Sequence, residues 1–320
     1  MPERVLVTGA TGFVGSHVTQ AFVEAGYEVL CGLRATSDPR WISNFAVKLV
    51  LLDLTRPESL FRAVKDVDVI VHAAGLVKAR QRNDYHLVNA EGTRRLAAAA
   101  ADAGVRRFVL ISSLAARGPD AVARDGRDHP ASTYGRSKLE AEVSLRAFGE
   151  QMEIVALRPA GVYGPRDTEL LSLFKVARSG WLILPSGPDV LQPVYASDVA
   201  RAALVAARKL VDFGPYPVAE ASRYAWQDAV KGLEQALGRP IRAVRLPATV
   251  FKLMGRVAEK TAELCDAVPV FDERQAQDVA VHTWTCDPST TERALGWRAE
   301  VRLFEGLKRT TRWYRTEGWI

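Results

Sequence analysis

The chain has 320 residues, 48% of them hydrophobic and 25% charged, with no low-complexity stretch, so a disordered polypeptide is excluded and a substantial core is possible. A net charge of +6 and a pI near 9.3 would tolerate a polyanion, but the Lys and Arg residues are scattered among acids without interleaved aromatics, so no nucleic-acid partner is expected. Cys31, Cys265 and Cys286 are too widely spaced for a metal cluster or a disulfide framework, no segment has the apolar length of a membrane span, and no leader precedes the first strand-like run; the expectation is a cytoplasmic protein with no metal and no membrane partner.

In chain order, the valine-rich run Arg4 to Thr8 reads as a buried strand, and Phe13 to Ala25 shifts to helical spacing before Gly26 stops it. Tyr27 to Leu33, Val47 to Leu52, Val67 to His72 and Arg107 to Ser112 read as further buried strands. Helical spacing lies between them at Pro57 to Val64 and Tyr85 to Ala103, and Ile154 to Leu157 is a sixth strand. Nearly continuous apolar strands alternating with amphipathic helices predict an α/β fold, a doubly wound parallel sheet of the Rossmann type. Residues 1–165 are expected to form this dinucleotide-binding domain, joined by part of 190–210. Beyond Pro165 the pattern becomes irregular, and 166–320 is expected to form a smaller substrate lobe over the sheet's carboxyl edge.

Gly9-Ala10-Thr11-Gly12-Phe13-Val14-Gly15 falls at the first strand-to-helix junction, the context a dinucleotide loop requires. Gly9 permits the turn, Gly12 lets backbone approach a pyrophosphate, and Gly15 lets the helix pack closely. The second strand is followed by Leu33-Arg34-Ala35-Thr36-Ser37, with no acid until Asp38, so Arg34 is expected to bind a 2′-phosphate and NADP is favoured over NAD. Asp53, followed by Leu54, is placed to meet adenine, or alternatively to cap the next helix, where Thr55 is better situated. Ala73, Ala74 and Gly75 end the fourth strand with residues small enough for backbone to run along the ribose.

Tyr134-Gly135-Arg136-Ser137-Lys138 opens a helical segment, and a spacing of four puts Tyr134 and Lys138 on one face. A nearby ammonium favours the phenolate, which allows Tyr134 to exchange a proton with a substrate oxygen while Lys138 holds the ribose. The strand ending in Ile111-Ser112-Ser113 should deliver Ser113 to the same edge, where its hydroxyl can orient a carbonyl.

The chain resembles an extended short-chain dehydrogenase/reductase, within the broader group of NAD-dependent epimerases and dehydratases. The matching residues are Thr8 to Gly15, Asp53-Leu54, His72 to Gly75, Asn89 to Thr93, Ser112-Ser113, Tyr134 to Lys138, Arg158 to Pro165, Val194 to Ala200, and Leu295-Gly296-Trp297 through Trp313-Tyr314. The resemblance implies a catalytic set of Ser113, Tyr134 and Lys138, with Asn89 ordering the site. It also implies Ser112 among the cofactor contacts, Pro159, Ala160 and Val162 beside the nicotinamide, a structural Asp198, and a homodimer through two long sheet-flanking helices.

Within that family the aliphatic Leu114-Ala115-Ala116, in place of an acidic pair after the serine, disfavours dehydration. Leu191-Gln192-Pro193 lacks the arginine expected for a sugar-nucleotide diphosphate, although Arg166, Lys175 or Arg178 could substitute. Phe174 and Trp181 to Leu184 are either a wall for an apolar substrate or lobe core. The favoured reading is an NADP-dependent dehydrogenase or reductase acting on a ketone or secondary alcohol of an apolar small molecule, similar to dihydroflavonol reductases and 3β-hydroxysteroid dehydrogenases. The alternatives are a sugar epimerase and a cofactor-binding regulator without turnover.

Overall fold

The structure is a computed structural model that describes residues 2–79, 81–120, 126–250 and 283–320, with 253, 255–257 and 260. Its strands in chain order are β1 (Arg4–Thr8), β2 (Glu28–Leu33), β3 (Val47–Leu51), β4 (Val69–His72), β5 (Arg107–Ile111), β6 (Glu153–Pro159), β7 (Gly161–Tyr163), β8 (Trp181–Pro185), β9 (Pro193–Tyr195), β10 (Tyr216–Val218) and β11 (Arg242–Leu246). Seven of them form one sheet in the order β10-β6-β5-β4-β1-β2-β3, all neighbours parallel. This is the doubly wound Rossmann-type sheet expected from the apolar runs.

Alternation along the buried strands supplies both faces. Val5, Val7, Val29, Val69, Val71, Val109 and Val155 point to one side, under α1 (Phe13–Glu24) and α7 (Ala196–Arg208). Leu6, Leu30, Ile70, Phe108, Leu110 and Ile154 point to the other. There they meet α2 (Pro57–Ala63), α4 (Gly92–Asp102) and α5 (Thr133–Leu145).

The segment read as one helix from Tyr85 to Ala103 is divided. α3 (Arg82–Tyr85) runs into a π-helical turn, His86–Glu91, before α4. A π turn absorbs one extra residue and leaves the apolar spacing almost unchanged, so periodicity does not reveal it. β10 was likewise not visible in the sequence, because Tyr216-Pro217-Val218 is too short to show a period.

A second core lies under α6 (Leu171–Arg178), α8 (Trp226–Leu237) and α10 (Leu303–Thr316), with Phe174, Leu182, Leu184, Leu233, Ile241 and Tyr314 buried together. β8 and β11 form a small parallel pair beside it. α9 (Ser289–Leu295) precedes Trp297, which is buried against the main sheet's α7 layer. The two cores are joined at named points. The Tyr314 hydroxyl donates to the Asp167 carbonyl at 2.6 Å. Trp41, in the loop after β2, packs edge-on against Trp313 and Trp319. Asp198, 2% exposed on α7, accepts from the N–H of Glu300 and Val301 and from Arg201. That is the structural tie expected of it.

Among the described residues no helix is long and apolar enough to cross a membrane, and no group of three or more His, Cys, Asp or Glu side chains is placed to hold a metal ion. Cys31 and Cys286 are buried free thiols, and Cys265 lies outside the described residues.

Replacing Asp198 with alanine leaves the buried Val301 N–H and the part-buried Glu300 N–H without their acceptor, a loss on the order of 2–4 kcal/mol. Denaturant unfolding should show a lower midpoint with an unchanged slope. An unchanged midpoint would mean that this tie does not hold the 300–301 segment.

Candidate active site

The loop after β1 is built by close backbone approach. Gly9 has φ +65°, and a Cβ there would lie 2.7 Å from the Ala74 nitrogen, while one on Gly15 would lie 2.0 Å from the Gly9 carbonyl oxygen. Neither position admits a side chain. At Gly12, the N-cap of α1, a Cβ would meet only the Gly9 carbonyl oxygen, at 3.2 Å, so the loop stays open on that side. The first turn of α1 contains no acid, and its backbone N–H groups and dipole suit an anion. Thr11 precedes the N-cap, and Phe13 and Val14 open the helix; the open backbone of this turn fits a pyrophosphate.

The ends of the next strands follow along the carboxyl edge. Arg34 is exposed just past β2, where its N–H donates to the Ser37 hydroxyl at 3.1 Å. Asp53 accepts from the N–H and hydroxyl of Thr55, at 2.9 and 2.7 Å. These bonds hold its carboxyl below the usual range, and the Arg34 charge adds to the effect. Neither Asp53 nor Thr55 caps the next helix, since the N-cap of α2 is Arg56. Leu54 is buried against Gly92, where a Cβ would come within 2.9 Å of it.

The end of β4 is fixed by a chain of hydroxyls through His72. Ala74 N–H donates to Thr8 Oγ1 at 3.2 Å, Thr8 Oγ1 lies 2.6 Å from His72 Nδ1, His72 Nε2 lies 2.9 Å from Thr93 Oγ1, and Thr93 donates to the Asn89 carbonyl at 2.6 Å. Thr93 has one proton and uses it on Asn89, so His72 Nε2 must be the donor and Nδ1 must accept from Thr8. Burial keeps the imidazole neutral, with its pKa lowered to about 3. Ala73, Ala74 and Gly75 are thereby locked against β1.

The π turn presents Asn89 to this edge. Its Oδ1 accepts from Leu76 N–H at 2.7 Å, and its Nδ2 donates to the Leu76 carbonyl and to Ser137 Oγ, both at 3.0 Å. A Cβ on Gly75 would lie 3.1 Å from Asn89 Oδ1 and 3.2 Å from Lys138 Nζ. The small strand end is what allows Asn89 and Lys138 to face one spot.

α5 begins at Ser132, whose hydroxyl accepts from Gly135 N–H at 2.9 Å, so Tyr134 stands in the first turn and Lys138 one turn on. A Cβ on Gly135 would lie 2.3 Å from the Ala115 carbonyl oxygen. The glycine inside the motif therefore lets this helix press on the short 3₁₀ turn Leu114–Ala116, whose N-cap is Ser113. Ser113 Oγ accepts from Ala115 N–H at 3.2 Å. Tyr134 is half-buried with its ring edge-on to Tyr85, 6.3 Å away. Lys138 is buried and donates to the Ile111 carbonyl at 3.0 Å. Burial lowers its pKa to about 8, against the upward pull of Glu142.

Glu142, Arg158 and Asp128 were not among the residues singled out from the sequence. Glu142 sits one further turn along α5, accepts from Ser112 and is bridged by Arg158 at 2.9 and 2.6 Å; the same guanidinium bonds both Asp128 oxygens at 2.7 Å. Burial opposes the Arg158 charge, but the bonds to Asp128 and Glu142 outweigh it and raise its pKa. The repeat of four from Tyr134 through Lys138 to Glu142 was a readable signal, whereas the partners on β6 and in the loop were not. Pro159 ends β6, Ala160 N–H donates to the Val218 carbonyl at 3.0 Å, and Val162 pairs with Val194. Ser113, Lys138 and Asn89 thus gather around the ends of β4 and β5. Arg34 stands at the end of β2, beyond β4 and β1, about 14 Å away at the usual strand spacing.

Comparison with known proteins shows what the whole chain is similar to. Ceramide reductase of Caulobacter vibrioides is 34% identical over 319 residues, covering 99% of this chain and 96% of that protein. UDP-glucose 4-epimerase of Vibrio cholerae is 27% identical over 97% of this chain and 95% of its own length. Among solved structures, MoeE5 in complex with UDP-glucose and NAD superimposes with a TM-score of 0.77 at 25% identity, over 98% of this chain and 99% of that one. The model of the NAD dependent epimerase/dehydratase family matches residues 5–219, and the chain belongs to that family.

Proposed function

We propose that the protein is an NADP-dependent oxidoreductase that interconverts a ketone and a secondary alcohol on a fairly apolar small molecule. The observation that carries this reading is the position of Tyr134 one turn before Lys138 on α5, with Lys138 buried, bonded to the Ile111 carbonyl and close to Gly75. A bound nicotinamide supplies the chemistry of hydride exchange with the substrate carbon.

The protein's own groups manage the proton and the orientation. Below about pH 8 Lys138 is an ammonium with three donors. One goes to Ile111, and the others would hold a ribose hydroxyl of a bound cofactor and favour the Tyr134 phenolate. Tyr134 gives a proton to the substrate oxygen in reduction and takes it in oxidation. Ser113 Oγ already accepts from Ala115, which leaves its proton to donate to that same oxygen.

Gln192 supports an oxidoreductase over a nucleotide-sugar epimerase. It is buried, with Nε2 on the Glu220 and Cys286 carbonyls at 2.8 and 3.0 Å and Oε1 on Cys286 N–H at 2.7 Å, so its amide is committed to structure. Of the substitutes considered for diphosphate binding, Arg166 reaches Gln20 on α1, and Lys175 and Arg178 are exposed at the end of α6. The ceramide reductase relative supports an apolar carbonyl substrate, and Arg34 supports NADP over NAD. We also propose residues 1–165 with part of 190–210 as the cofactor domain and 166–320 as the substrate lobe, a cytoplasmic location, and a homodimer through α4 and α5, where Val143 is 58% exposed.

Three measurements test the reading. Tyr134→Phe removes one oxygen and should leave folding and cofactor affinity intact while lowering turnover by about a hundred to ten thousand fold. The assay follows nicotinamide absorbance in step with product; product without net absorbance change would mean epimerisation, and near-normal turnover by the variant would remove Tyr134 from the chemistry.

Cofactor affinity should weaken as pH rises through about 8, where Lys138 loses its proton. Lys138→Ala should flatten that dependence, weaken binding at all pH values, and move residual activity to higher pH. A profile through pH 8 that is identical in both proteins would contradict the assignment.

Titration with the two cofactors should show tighter binding of NADP than NAD, and Arg34→Ala should weaken NADP alone by about ten- to a hundredfold, the loss of one charge-assisted contact. Equal affinities in the parent protein would end the NADP preference.

A further inference from the structure

β2 and β3 are joined by residues 34–46, which contain neither helix nor strand and begin with the Arg34 turn. Ser37 N–H donates to the Arg34 carbonyl at 2.9 Å, and Arg34 N–H donates to the Ser37 hydroxyl at 3.1 Å, so the turn is closed on itself. Arg34, Ala35 and Thr36 are exposed. A segment with so little burial of its own keeps one shape only where it is seated on something else.

Three side chains further along supply the seat. Ile42 is fully buried in the main core. Phe45 lies 5.9 Å from the guanidinium of Arg166, which also donates to Gln20 on α1 at 2.9 Å. Trp41 instead meets the second lobe: its ring centroid stands 5.3 Å from that of Trp313 on α10 and 5.9 Å from that of Trp319, both edge-on. Those two rings pack on each other at 4.9 Å, and Trp319 stacks on Tyr314, which is buried in the lobe core. Charge carries the seat back toward Arg34, since Arg40 lies over the Trp41 ring at 4.4 Å and pairs with Asp38, the neighbour of Ser37, at 3.4 Å. Of the three anchors, Trp41 is the nearest to Arg34 along the chain and the one that rests on the other lobe.

We propose that Trp41 is a positioning residue for the cofactor's 2′-phosphate: seated on Trp313 and Trp319, it holds the Arg34 turn in place, and through it the second lobe governs discrimination between NADP and NAD. The inference rests on the NADP reading above, and proteolysis enters its test because it reads the loop with no cofactor present.

The experiment combines limited trypsin digestion of the cofactor-free chain, scoring cleavage after Arg34 or Arg40 by fragment mass, with calorimetric titration of NADP and of NAD. Each aromatic pair lost should raise the cleavage rate about two- to tenfold, so Trp319→Ala loosens the loop and Trp41→Ala loosens it more. Both variants should lower the ratio of NADP to NAD affinity, Trp41→Ala by about three- to tenfold, while Trp41→Phe keeps an edge-on ring and restores both readings. Melting temperature is the control for folding, and Trp319→Ala, which lies outside the loop, carries the test if Trp41→Ala does not fold. Unchanged cleavage in the alanine variants would overturn the proposal, as would faster cleavage with an unchanged ratio of affinities. A parent chain that binds NADP and NAD equally would remove the NADP reading and this proposal with it; that result is distinct from the two failures before it, in which the parent still prefers NADP.

Discussion

A buried ion pair between Glu142 and Arg158 holds α5 to the sheet, and the geometry of the candidate site follows from it. The two side chains are 3% and 7% exposed, and their remaining polar atoms are met by Ser112 and Asp128. Removing Arg158 would strand the buried Glu142 carboxylate, so the pair admits few other arrangements. Glu142 lies two turns beyond Tyr134 and one beyond Lys138. Anchoring it sets the rotation of α5, on which the three side chains share one face. The same carboxylate opposes the effect of burial on Lys138, whose pKa is lowered to about 8, so the ammonium persists at neutral pH.

The polar groups around that helix hold one another in place. The hydroxyl chain from Thr8 through His72 and Thr93 ends on the carbonyl of Asn89, and the Asn89 side chain in turn bridges Leu76 and Ser137. Each donor in this series has one acceptor, so its direction is determined. Such fixed dipoles need little reorganisation when charge develops at a substrate oxygen. The fold by itself does not select the chemistry, since reductases and epimerases share it. The discriminating features are local: an aliphatic 3₁₀ turn after Ser113, which lacks the acids of a dehydratase, and a glutamine bonded to Cys286 and Glu220 where a nucleotide-sugar epimerase would need a cation.

Most of the main sheet was legible because its strands are buried on both faces and read as apolar runs; β1 has the bounds read from its valines. The glycine loop and the Tyr134 to Lys138 spacing were legible for a similar reason, being local patterns with a local cause. What escaped depends on pairing across distance. Arg158 stood within a matched segment, but nothing in sequence joins it to Glu142 or Asp128. No role was assigned to Gly135 from the sequence, and only the 2.3 Å approach of the Ala115 carbonyl oxygen to its missing Cβ shows why it is there. The apolar stretch around Phe174 and Trp181 to Leu184 left substrate wall and lobe core open. The structure divides it: strand alternation sends Leu182 and Leu184 inward with Phe174, and Trp181 and Ile183 out.

The late arrival of β10 has a consequence for how the chain comes into being. β6 is complete at Pro159, yet its outer neighbour is Tyr216–Val218, and α7, which roofs one face of the sheet, ends only at Arg208. On the ribosome the amino-terminal part emerges first. The nascent sheet therefore carries an open strand edge, and a half-covered valine face, through the whole interval in which the second lobe begins to be made. Unpaired edges of this kind recruit other strands. Chaperone engagement and aggregation losses should accordingly concentrate on chains stalled between these two strands, while chains carried past Val218 close their own edge.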